Sequence, residues 1–452
     1  MIVGRGRRQG RGLFAFALAL LMVAVPPAQA GSLQGEGPLT LERSLALAKE
    51  QSLSLAAARA QVEAAQAKVQ QARAGFWPQI GLSAGYSQFS EEQMVSVSMI
   101  DTPRGSSPVL ELADHLYSTQ VRLQQPLYTG GRLTAAQRQA ELGLTAAEKE
   151  LERVGLDLEL QVAEAYYAVL RSRGLERVAQ KAQEQVAAHR RALEEMYRAG
   201  TAVEADLVRV RAQEAALRQN LLKAQHGRQV AEESLKLLVG LPPEAALELQ
   251  DVPEVPEALR GYEEVLSTAL ERRPELVRAR LGAAQAEAGL QMARSALYPN
   301  LTLMVDYSWQ EKELRLENGS WTARLNLSWS LFDAGAGRSR LQEAEAMARQ
   351  SELAVRQLED ATRLEVRQRW LAVQEAQEAI GVAELEVQRA REDLRLAEAR
   401  FRAGMGTSVE VLDAQAALVQ AEEKWVQARY DYHLAVARLK RTAGLPIEGG
   451  WS

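Results

Sequence analysis

Two carboxylates, Glu410 and Asp413, stand three residues apart in a helical stretch and therefore share one helix face. A ring of such acids at a constriction would favour cations and repel anions over short range. On spacing alone, an ordinary solvated helix face is the readier account. Catalytic chemistry has less to stand on. The four histidines, His115, His189, His226 and His433, are scattered and form no H-E-x-x-H or other ligand spacing. The chain has no cysteine, which excludes disulfides, thiolate metal sites, a Cys nucleophile and a lipidated N-terminal Cys. No Walker or dinucleotide-type glycine loop is present either. The sequence therefore predicts no enzyme, no metal and no cofactor, and any energy its function draws on has to come from a partner.

The elements that would carry those acids are long helices. Aromatic residues make up only 5% of the 452 positions and there are 14 prolines, while long stretches consist of Ala, Glu, Leu, Arg and Gln, the usage of extended helices and coiled coils. Residues 1–30 read as a secretory signal: Arg5, Arg7, Arg8 and Arg11, an apolar run from Leu13 to Val25, and the small-residue cleavage pattern Ala28-Gln29-Ala30. Cleavage there would remove four basic residues and no acidic one from a chain with 54 Lys and Arg against 59 Asp and Glu. The remaining acidic balance argues against a nucleic-acid partner. No later window approaches the apolar length of a transmembrane helix.

One pattern is written twice. Phe76-Trp77-Pro78-Gln79-Ile80 returns as Leu297-Tyr298-Pro299-Asn300-Leu301, offset by 221. Leu127-Tyr128 with Gly131, Arg198-Ala199-Gly200 and Gly240-Leu241-Pro242 return as Leu331-Phe332 with Gly335, Arg402-Ala403-Gly404 and Gly444-Leu445-Pro446, all offset by 204. The halves thus align without a gap from Leu127 to Pro242, which a chance match of helical low complexity would not do. The expected organisation is a first repeat over 31–242, a linker over 243–260, a second repeat over 261–446 and a short tail over 447–452. Heptads mark the return segments: Val411, Ala414, Leu418, Ala421, Trp425, Ala428, Tyr432, Ala435 and Leu439 step by three and four, as coiled-coil packing requires.

Four segments switch to period two. Apolar residues alternate with polar or small ones at about 79–89, 117–128, 301–309 and 321–332, each long enough to cross a bilayer at barrel tilt. Tyr86, Tyr307, Trp321 and Trp329 sit near strand ends, where interfacial aromatics belong. Pro78, Pro126 and Pro299 mark the helix-to-strand junctions, and Asn318-Gly319 marks a turn. Residues Phe89 to Leu116, with Glu91, Glu92, Asp101, Glu111 and Asp114, read as an extracellular loop. Four strands cannot close a membrane barrel, and an open edge in lipid leaves backbone groups unpaired at several kcal/mol each. Several subunits must therefore pool strands: two copies would give eight strands and an interior largely filled by side chains, three would give twelve and a water-filled lumen.

The order of signal, helix, Pro-marked strand hairpin and long glycine-tipped helix hairpin, all duplicated, resembles the TolC-like outer membrane factor family over essentially the whole mature chain. The motifs that carry the likeness are Leu127-Tyr128-Thr129-Gly130-Gly131, Tyr197-Arg198-Ala199-Gly200 with Asp206, and Phe401-Arg402-Ala403-Gly404 with Val409-Glu410-Val411-Leu412-Asp413-Ala414. The resemblance implies a mainly α fold with a membrane β-barrel part: a homotrimer with a twelve-stranded barrel and a coiled-coil α-barrel in the periplasm. It implies an outer-membrane exit duct for a tripartite efflux pump or type I secretion system, with a periplasmic adaptor, an inner-membrane transporter and outer-membrane lipid as partners. By the same resemblance, Glu410, Asp413 and Asp206 line a constriction, and Ala199, Gly200, Thr201, Ala403, Gly404 and Met405 meet the adaptor. Where the family commonly latches the tip with a Tyr and an Arg, this chain has Phe401 and Gly406. A donor-based latch to Asp206 is therefore not expected, and Arg209 is expected to pair with an acid of a neighbouring helix instead. A periplasmic coiled-coil structural or adaptor protein is the rival reading; it accounts for the heptads but not for the four alternating strands.

Overall fold

The computed structural model describes residues 38–102, 105–252, 260–312 and 319–449. The expected signal sequence, the middle of the linker and Asn318 of the second turn lie outside the described residues. The first repeat runs α1 (Leu41–Gln51), α2 (Leu53–Ala74), β1 (Gln79–Thr102), β2 (Gly105–Tyr128), α3 (Arg132–Arg198) and α4 (Glu204–Val239). The second runs α5 (Tyr262–Arg272), α6 (Pro274–Ser295), β3 (Asn300–Glu311), β4 (Ser320–Ser328), α7 (Ala336–Arg402) and α8 (Ser408–Thr442). Both long outgoing helices are 67 residues, about 100 Å at 1.5 Å per residue. Their equal length is the structural form of the gapless alignment.

Helix breaks follow local chemistry. The Thr40 hydroxyl accepts the Arg43 N–H at 3.2 Å to start α1, and Ser52 does the same for Leu55 at 3.2 Å to start α2. In the second repeat Pro274 opens α6, where its missing N–H costs nothing.

Four antiparallel strands form one sheet in the order β1-β2-β3-β4, with both outer edges open. Ile80, Leu82, Leu325, Leu327 and Trp321 crowd one face and are exposed, while Gln120, Arg122, Asp306 and Arg324 occupy the other. The first hairpin departs from expectation. Residues 89–102 and 105–116 are strand, not loop: β1 and β2 stay paired up to Thr102 opposite Gly105, with register shifts between Gln88 and Gln93 and between Ser96 and Ser98. The alternation fails there because bulges absorb the extra residues, yet backbone pairing needs no apolar face. The pairing of β2 to β3 ends at Tyr117 opposite Glu311, so the first hairpin continues beyond its neighbour. At the other end β4 stops at Ser328, and the Trp329 indole N–H donates to the Leu297 carbonyl at 3.1 Å at the helix junction.

The helical core centres on α3. Its middle buries Val162, Tyr166, Val169 and Leu170 together with Leu235 and Val239 of α4 and Val426 and Tyr430 of α8. The Tyr166 hydroxyl donates within 3.0 Å of the Leu39 and 2.6 Å of the Gln250 carbonyl, clamping the short parallel bridge between Leu39 and Leu249. The expected heptad seam of α8 is buried at Val411, Leu418, Ala421, Tyr432 and Leu439, but α8 also buries Leu412, Gln415, Val426, Tyr430 and Ala437 on a second stripe. It is packed on both sides, by α7 and by α3, and Arg441 near its end binds Asp157 of α3 and Glu275 of α6, each at 2.6 Å. No described helix is long and apolar enough to cross a membrane.

Candidate functional site

At the far end of the long helices each hairpin reverses through the same hydrogen-bond pattern. In the first tip Gly200 N–H reaches the Tyr197 carbonyl at 3.0 Å and Thr201 N–H reaches Met196 at 2.9 Å. In the second, Gly404 reaches Phe401 at 3.0 Å and Met405 reaches Arg400 at 2.9 Å. These are paired 5→2 and 6→1 closures, which need a left-handed residue at the turn. Gly200 and Gly404, at φ 75 and 71, supply it. Ala199, Gly200, Thr201, Ala403, Gly404 and Met405 are all solvent-exposed, so the six form a bare crown at the hairpin ends.

Two of the three expected constriction acids, Asp206 and Glu410, lie in the first turns of the return helices, where the helix dipole favours negative charge. Their surroundings differ. Glu410 is engaged by its own helix start: the Thr407 hydroxyl accepts the Glu410 N–H at 3.3 Å and donates to Glu410 Oε1 at 3.3 Å. Asp413, one turn on, is exposed and has no ion-pair partner among the described residues. Asp206 is half-buried and lies 3.6 Å from Arg209 of the same helix. Within the chain, then, Arg209 turns to its own helix rather than to an acid of another one. Three residues of separation place the two side chains one above the other, so the pairing asks for no second element.

The two tips are tied together by a histidine that the sequence offered only as one of four scattered ones. His189 of α3 is buried, its Nε2 lies 2.9 Å from Ser408 Oγ at the start of α8, and its ring stands edge-on to Phe401 of α7 at 5.1 Å. Burial pushes the His189 pKa down, although Glu398 and Asp206 pull the other way. Val186, Leu193, Leu207, Val210 and Leu412 close around this contact, with Phe401 packed against them. The signal was in the spacing: Ala182, Val186, His189 and Leu193 step by four, three and four, so His189 occupies a core position of the heptad. Among the described residues no cluster of His, Asp and Glu could hold a metal ion.

The family model described as outer membrane efflux protein matches residues 45–241 and 265–445, one stretch per repeat. The chain belongs to that family. Pyoverdine export outer membrane protein OpmQ of Pseudomonas putida is 28% identical over 291 residues, which is 63% of this chain and 61% of that protein. The matched stretch thus spans about three fifths of that relative. Protein CyaE of Bordetella pertussis is 28% identical over 353 residues, 76% of this chain and 67% of its own. The crystal structure of the outer membrane protein VceC from Vibrio cholerae superposes with a TM-score of 0.76 at 23% identity, covering 90% of this chain and 97% of that one. This outer membrane efflux protein therefore has the two-repeat channel-tunnel fold and an outer-membrane location. It is a channel-family protein and not an enzyme.

Proposed function

We propose that three copies pool their sheets into one twelve-stranded barrel and their helices into one periplasmic tunnel, forming the exit duct of a tripartite efflux pump or type I secretion system. The observation that carries this reading is the open-edged sheet with one exposed apolar face. Alone, such a sheet would leave two strand edges unpaired in lipid, at several kcal/mol per backbone group; closure with copies of itself removes both edges. In this reading Ala199, Gly200, Thr201, Ala403, Gly404 and Met405 dock on a periplasmic adaptor, an inner-membrane transporter supplies the energy and selects the cargo, and outer-membrane lipid covers the apolar face. The export role named for the OpmQ relatives supports the same direction of transport.

The acids at the tips then meet around the threefold axis. Asp413 is the better candidate for a cation-favouring ring, since it is exposed and has no ion-pair partner among the described residues, with Glu410 and Asp206 as its neighbours in the first turns. In planar bilayers, Asp413→Ala is expected to lower the cation-to-anion permeability ratio about twofold or more. Reversal potentials identical to the wild type would remove Asp413 from the pore. For the duct itself, membrane fractionation should find a detergent-requiring, heat-resistant trimer in the outer membrane; a water-soluble monomer would end the proposal.

A further inference from the structure

A charged cluster lies on the polar face of the sheet, far from the hairpin tips. Asp306 of β3 sits opposite Arg122 of β2 in the register. Its Oδ1 accepts from Arg122 Nε at 2.7 Å and from Gln120 Nε2 at 2.9 Å, and its Oδ2 accepts from Arg324 Nη2 of β4 at 3.0 Å. The carboxylate is almost covered, with 7% of its side chain exposed, while the Arg122 and Arg324 side chains stay 53% and 63% exposed.

Two cations thus share one anion. A guanidinium carries five N–H donors in a fixed fork, and each arginine gives only one of them to Asp306. Among the described residues beside the pair, the face offers nothing to neutralise the surplus. Opposite Arg122 and Gln120, β1 presents Gly81 and Ser83, and the space beside Gly81 is open. The next positions on this face, Gln124, Met304, Ser308, Thr322 and Asn326, are uncharged. Asp114 is eight residues further along β2, about 26 Å at 3.3 Å per residue. Since the opposite face is the apolar one, the polar face turns to the lumen of a closed barrel. Stapling three strands needs one arginine on each side of the carboxylate; it does not need their remaining donors to be exposed. Asp306 holds both forks in place, a preorganisation that suits planar or tetrahedral oxyanions.

We propose that Arg122 and Arg324, fixed by Asp306, form an oxyanion-binding subsite on the barrel lumen, repeated three times at one height, which takes the carboxylate, phosphate or sulfate groups of solutes passing through. This rests on the trimeric duct described above. Inorganic pyrophosphate is the probe, added from the barrel side of purified full-length channels in planar bilayers. The wild type is expected to show concentration-dependent block of the KCl current. Arg324→Gln, which removes one exposed fork, should weaken that block about tenfold, and Arg122→Gln with Arg324→Gln should abolish it. Wild-type channels that conduct but ignore pyrophosphate, or Arg324→Gln trimers blocked like the wild type, overturn the subsite and leave the duct standing. A wild type that never conducts overturns the duct itself. Persistence of the heat-resistant trimer on gels separates loss of binding from loss of assembly.

Discussion

A histidine kept neutral by burial makes its contact depend on proton concentration, and His189 is such a group. Its hydrogen bond to Ser408 joins α3 to the start of α8, and its ring packs on Phe401 of α7. The charged groups acting on it, Glu398 on α7 and Asp206 on α4, favour protonation, but burial outweighs them and holds the folded pKa below the ordinary imidazole value of 6.5. On acidification the unfolded chain therefore binds the proton first. The stability this contact supplies is complete above about pH 6.5 and is lost as pH falls through the lower folded value. Compared with His189→Gln, the wild type should be about 1 kcal/mol more stable at pH 7.5, the worth of a typical buried hydrogen bond. That margin should shrink by pH 5 in thermal melts of the detergent-solubilised protein. An equal margin at both pH values would mean that His189 packs without titrating. The tie is one-sided: Ser408 corresponds to Glu204 and His189 to Asp393 in the repeat, and both of those acids are exposed.

At the scale of elements, the distance between helices is set by what they lack. Gly174 of α3 is buried against α8, and a Cβ there would lie 2.7 Å from Val426 Cγ1. Gly227 of α4 has open space around the corresponding point. Alanine improves helix propensity at either site by about 0.5–1 kcal/mol, but at Gly174 it also forces two packed helices apart at about 1–3 kcal/mol. Gly227→Ala should raise the unfolding midpoint and Gly174→Ala should lower it; a shift of the same sign in both would refute the close-approach account. The elements also show what could be read from the residues. Helix lengths, hairpin tips and the α8 seam followed from punctuation and period, because glycine, proline and heptads act locally. The second buried stripe of α8 did not, since Val426 and Tyr430 are core only by virtue of α3, a helix more than two hundred residues earlier. The continuation of β1 and β2 through residues 89–116 was equally hidden: Glu91 and Glu92 interrupt the alternation, and pairing past a bulge is carried by backbone groups that leave no side-chain pattern. At the tips the acids were legible as acids, whereas Thr407 capping Glu410 and Arg209 turning to Asp206 depend on local geometry.

On the scale of the whole molecule, the surface of one chain is incomplete in a patterned way. On α7, Leu353, Leu364, Leu371, Val382 and Leu396 are all exposed, at intervals of 11, 7, 11 and 14 residues. Those are multiples of helical repeats, so the five form a stripe along the helix. On α4, Val208, Leu222, Val230 and Leu237 form another. Single exposed leucines are ordinary, but aligned rows some tens of ångströms long mark a surface that another helix covers. The same chain leaves β1 and β4 with free edges. One operation, threefold association of the proposed duct, would cover both kinds of incompleteness at once. Each leucine withdrawn from water in that association contributes about 1.5–3 kcal/mol before ordering costs, and a carboxylate in its place would be desolvated without a partner. Leu364→Glu together with Leu371→Glu is therefore expected to abolish the heat-resistant trimer on gels. Within each chain the helices should remain, because these side chains contribute nothing to the α7–α8 seam at Val387, Leu394, Val411 and Leu418; circular dichroism of the detergent-solubilised monomer should retain most of its helical signal. Trimers that keep their heat resistance with both charges in place would show that the α7 stripe faces water, and the tunnel wall would then have to be built from other faces of the helices.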